Sequence, residues 1–66
     1  MPIDPAKLTA AREAAGLSPA EAARRAGMPR QNWHRIESGE RPNPTLETVE
    51  AVAKAVGVGI ERLLKR

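Results

Sequence analysis

The sequence predicts an all-α fold of five short helical segments, and three observations carry that prediction. Apolar residues recur at helical spacing, as in Leu46, Val49, Val52, Ala53 and Val56, and no stretch alternates β-branched with polar residues as a strand would. Glycine or proline punctuates the chain at intervals short enough to stop each helix after two or three turns. Of 27 hydrophobic residues, 12 are alanine, so the core is thin and helix-favouring. At 66 residues the chain makes one domain, whose core supplies only ~3–5 kcal/mol.

The elements follow in order. Asp4-Pro5 opens the first helix, with aspartate placed to cap free N–H groups and proline suited to the first turn. Leu8, Ala11 and Ala15 then share a face until Gly16. Ser18-Pro19-Ala20-Glu21 is a capping box that starts a second helix ending at Gly27. Met28-Pro29 reopens the chain, and a third helix over 30–38 carries Trp33 and Ile36 on its apolar side. Glu40 to Pro44 is irregular, the fourth helix starts near Leu46 and closes at Gly57, and a last short turn runs from Ile60 to Leu64.

Composition excludes several functions. Without cysteine there is no disulfide, thiolate zinc site or cysteine nucleophile. Paired catalytic carboxylates, a nucleophile–base set and a phosphate-binding glycine loop are absent, so the expectation is no enzyme, no cofactor and no metal. No secretion signal or membrane-spanning run is visible, which points to a soluble cytoplasmic protein.

Charge is informative once located. The formal surplus is +3, and the window 24–41 holds all of it: Arg24, Arg25, Arg30, Arg35 and Arg41 against Glu37 and Glu40. Arginine presents a planar fork that matches phosphate and guanine edges. On the third helix Arg30, Gln31, Asn32, His34 and Arg35 form a polar side without a carboxylate, a composition suited to a duplex groove. Trp33 is the only aromatic residue and its spacing with Ile36 turns it inward, where Ala23, Ala26 and Met28 pack around it.

The segment from Leu17 through Ser18-Pro19-Ala20-Glu21, Gly27 and Trp33 to Ser38-Gly39 resembles the helix-turn-helix of the phage repressor and Cro (Xre-type) family. Leu8, Ala11, Arg12 and Gly16 resemble its first helix, and Pro44 through Ala53, Val56-Gly57-Val58 and Leu63 its last two. The resemblance implies a compact five-helix lambda-repressor-like DNA-binding domain, with the helix-turn-helix at about 18–38 and residues 30–38 as recognition helix. It makes Arg30, Gln31 and Arg35 the base readers, with Asn32 and His34 on bases or phosphates. Ser18, Ser38 and Arg41 fall at phosphate-binding positions, while Arg24 and Arg25 read as a solvated face. It also implies an ion pair between Arg12 and Glu37, two positions that the family joins to set the recognition helix on the body.

Two residues depart from the family pattern. Pro19 stands where many members carry a DNA-contacting glutamine, so that contact is lost, and Pro29 replaces the usual capping serine or threonine. The whole resembles a Cro-like repressor that binds a palindromic operator in double-stranded DNA as a homodimer, its half-sites about 34 Å apart. Because the chain ends at Arg66, the dimer is expected to use this domain itself, through Val58, Ile60, Leu63 and Leu64. The competing expectation is a protein-interaction module such as an antitoxin, which the lack of an acidic or apolar tail disfavours.

Overall fold

The computed structural model describes residues 1–65. Helix α1 spans Pro5–Ala14, α2 Pro19–Ala26, α3 Arg30–Glu37 and α4 Leu46–Val56, and a single 3-10 turn follows at Ile60–Arg62. Most boundaries have a local cause. Asp4 caps α1 by accepting from the Ala6 N–H at 3.0 Å, Ser18 caps α2 through Glu21 at 3.1 Å, and Thr45 caps α4 through Thr48 at 3.2 Å. Proline occupies the first turn of both α1 and α2, where it has no N–H to lose. Helices α2 and α4 end on glycines in the left-handed region, Gly27 at φ 72° and Gly57 at φ 76°.

Among the described residues, four helices and a turn replace the five expected helices. After Gly57 the chain completes only Ile60–Arg62, because the backbone beyond is committed elsewhere. The Leu63 carbonyl accepts from Asp4 N at 2.8 Å, the Leu64 carbonyl accepts from Lys7 Nζ at 3.0 Å, and Lys65 N donates to the Pro2 carbonyl at 3.1 Å. Ile3 and Leu64 form an isolated antiparallel bridge. A fifth helix would forfeit these bonds.

The first three residues, for which the sequence offers no role, hold both ends of the fold together. Ile3 is buried, its N–H bonds to the Pro42 carbonyl at 3.1 Å, and the Met1 amino group donates to the Pro44 carbonyl at 2.7 Å. The N-terminal segment is thus tied to both the proline-rich loop after α3 and the C-terminal turn.

Trp33 lies at the centre of the core with no exposed surface, alongside Leu8, Ile36, Val52 and Leu63. Ala23 is buried in the same cluster, with Ala26 and Met28 packed against it, as the sequence predicts. Alanines on α2 let it lie close to both α3 and α4.

One polar network joins α1 to α3. Arg12 donates through Nε to Glu37 Oε1 at 2.9 Å and through Nη2 to Oε2 at 3.0 Å, while Nη1 reaches the Leu17 carbonyl at 2.8 Å. The Trp33 indole donates to Glu37 Oε1 at 2.7 Å. The two charged side chains keep only 12% and 16% of their surface in solvent, so each needs the other. Burial pushes the Glu37 carboxyl up, but the Arg12 bond, the indole bond and the Arg12 charge outweigh it and hold the carboxyl below its ordinary range.

Two outcomes follow. Glu37→Ala leaves the Arg12 guanidinium with the Leu17 carbonyl as its one remaining hydrogen-bond partner among the described residues and is expected to cost ~3–5 kcal/mol. That approaches the whole stability of so small a core and is measurable as loss of the circular-dichroism melting transition. The depressed carboxyl also sets the sign of a pH effect. Its contribution is complete above the ordinary glutamate value of 4.5 and disappears as pH falls through the lowered value. The stability difference between the native protein and Glu37→Gln should therefore be full at neutral pH and shrink in acid.

Candidate nucleic-acid interface

Helix α3 owes its two-sided character to residue spacing. Trp33 and Ile36 point into the core, which turns Arg30, Gln31, His34 and Arg35 outward, and all four are exposed. Asn32 lies at the margin and is half-buried. Glu37, the one carboxylate on α3, is spent inward on Arg12 and Trp33. The outer face is therefore cations, an amide and an imidazole, with no acid to repel a polyanion.

The turn before α3 sets where this face sits. Gly27 in the left-handed region lets Met28 N bond back to the Ala23 carbonyl at 3.0 Å, so the chain reverses sharply between α2 and α3. Pro29 precedes α3 without a side-chain cap, yet the helix begins directly after it, at Arg30. The Pro29 carbonyl starts the helix by accepting from Asn32 N at 3.0 Å. At the far end the helix stops at Glu37 rather than Ser38, which serves as its C-cap.

That reversal places the start of α2 beside the start of α3. Pro19, Arg30, Gln31 and His34 line one open concavity. The sequence marks Pro19 for its place at the start of α2 and for the glutamine contact it loses. Its position against Arg30 and Gln31 depends on the angle between two helices, which no local motif encodes.

The other predicted contacts divide. Ser18 is exposed, and its hydroxyl oxygen is taken by the Glu21 N–H, with no acceptor for its hydroxyl hydrogen among the described residues. Ser38 is exposed but uses its hydroxyl within its own turn, donating to the Arg35 carbonyl at 3.3 Å and accepting from Glu40 N at 3.5 Å. Arg41 is exposed, and its backbone N–H bonds to the Arg35 carbonyl at 3.0 Å, which fixes the loop close to the end of α3. Arg24 pairs with Glu21 on the surface, and Arg25 is exposed beside it.

The four residues expected at a subunit contact are not one surface. Leu63 has no exposed area and belongs to the core, because the Asp4–Leu63 and Ile3–Leu64 pairings draw it beneath the N-terminal segment. Val58 and Ile60 pack partly against that core, and Leu64 is half-buried in the bridge. Only these three retain surface for a partner.

A family model described as a helix-turn-helix domain matches residues 6–64. No curated protein matches the chain. The match starts inside α1 and ends just past the C-terminal turn, so it covers the four helices described, α1 but for its first residue. No described helix is long and apolar enough to cross a membrane.

The helix-turn-helix geometry generates its own expectation. Space around Gly27 is open, since a Cβ there would meet nothing within 4 Å, so the cost of a side chain is purely conformational. Gly27→Ala should lower stability by about 1–2 kcal/mol without steric clash, readable as a shifted midpoint in urea unfolding.

Proposed function

The chain belongs to the helix-turn-helix domain family, a DNA-binding family, and from that premise we propose that it is a sequence-specific transcriptional regulator reading duplex DNA with the outer face of α3. The observation that carries this reading is the acid-free row of Arg30, Gln31, His34 and Arg35 on a helix whose only carboxylate is turned inward. In a major groove, Arg30 is suited to the O6 and N7 of guanine and Gln31 to the N6 and N7 of adenine. Arg35 lies one turn further along, and Asn32 and His34 flank the row. The Ser18 hydroxyl hydrogen and the Arg41 guanidinium are suited to phosphates on either side. Ser38 joins them by exchanging its long bond to the Arg35 carbonyl for one to phosphate.

One such helix addresses only a few base pairs, so selection within a genome calls for two. We assign the protein the Xre-type, Cro-like mode: a homodimer on a palindromic operator, with half-sites about one helical turn apart, blocking polymerase. Val58, Ile60 and Leu64 are the residues offered for the subunit contact.

The test is fluorescence anisotropy on a duplex selected by the protein from a randomised pool. Arg30→Ala should lower affinity by ~1–3 kcal/mol and relax the preference at one base position, whereas Arg41→Ala should weaken all duplexes alike and reduce the salt slope by about one. Unchanged duplex choice after replacing both Arg30 and Gln31 with alanine would overturn the assignment.

A further inference from the structure

We infer that Pro19 takes part in base selection, its ring forming the apolar seat for the 5-methyl group of a thymine next to the base addressed by Gln31. The inference rests on α3 being the DNA-reading helix and deepens that assignment. Pro19 is the first residue of α2, and the Ser18 cap bond to Glu21 N holds that end of the helix in place. In the concavity that it shares with Arg30, Gln31 and His34, it is the one apolar residue among three hydrogen-bonding side chains.

The chemistry of a major groove narrows what such a seat accepts. Base edges there present acceptors, amino donors and one apolar feature, the thymine methyl. Arginine and glutamine find acceptors readily, and proline offers neither donor nor acceptor from its side chain. A polar base edge against the ring would lose its water without gaining a partner, whereas a methyl group loses only unfavourable hydration. The ring is also rigid, with φ held near the helical value, so no side-chain freedom is lost when a base closes over it. Arg30 and Gln31 on the same concavity place this seat within the same few base pairs as the two main readers.

Replacing thymine by deoxyuridine deletes the methyl group and leaves base pairing and the O4 acceptor intact. The experiment takes a duplex selected by the protein from a randomised pool and substitutes each thymine in turn. Binding is measured by anisotropy for the native protein and for Pro19→Ala, with circular dichroism confirming that the variant is folded. The native protein should lose about fourfold in affinity at one thymine per half-site, the value of burying one methyl-sized group. In Pro19→Ala that penalty should shrink towards none, while discrimination at the base read by Arg30 persists.

A duplex bound selectively yet indifferent to deoxyuridine at every position would overturn the inference and leave the DNA-reading assignment standing. A penalty of equal size in native protein and Pro19→Ala would also overturn it. Failure to select any duplex would instead refute the assignment on which it rests. Because the methyl group is removed from the DNA, the first comparison holds even if the variant does not fold.

Discussion

The Glu37 carboxylate receives the Arg12 guanidinium through both oxygens and the Trp33 indole through one, and the placement of α3 follows from that arrangement. Arg12 also holds the Leu17 carbonyl, so a single guanidinium joins α1, the turn into α2 and the end of α3. Apolar packing alone is weakly directional, and a core this small offers few large side chains to lock a helix in rotation. The fork geometry of arginine against carboxylate supplies that direction. Removing the carboxylate from the surface also leaves the outer face of α3 uniformly receptive to a polyanion. One interaction therefore sets both the orientation and the electrostatic character of the helix.

A second constraint comes from the N-terminal segment. Met1 and Ile3 bond to the Pro42–Pro44 loop, while Asp4 and Pro2 bond to Leu63 and Lys65. Backbone groups that would be wet in a frayed terminus are thereby satisfied, and Ile3 adds a large side chain to a core short of them. The same pairing limits the C-terminal turn to 3-10 length and buries Leu63. The loop carrying Arg41 is held from two sides, by Ile3 and Met1 on one and by the Arg35 carbonyl on the other. Positioning a cationic loop near α3 in this way lowers the ordering cost of any anion contact it makes.

Much of this was legible in the amino-acid order because the signals are local. Capping by Asp4 and Ser18, termination at Gly27 and Gly57, and the inward face of Trp33 and Ile36 each depend on residues within a turn or two of one another. The exposure of Arg30, Gln31, His34 and Arg35 follows from that same helical period. The Arg12–Glu37 pair spans distant positions and came from resemblance to a family, and the structure supplies its indole and carbonyl partners.

What the sequence by itself determined, then, is the first four helices, most of their limits and which side of each is apolar, since backbone hydrogen bonding and side-chain period act over a few residues. Tertiary structure alone decided that Ile3 and Leu64 pair, that Leu63 is core and that Pro19 shares a concavity with Arg30 and Gln31. Each of these brings together residues of different elements. Such contacts are set by how helices pack and by which unpaired backbone groups find partners, and no local pattern records either.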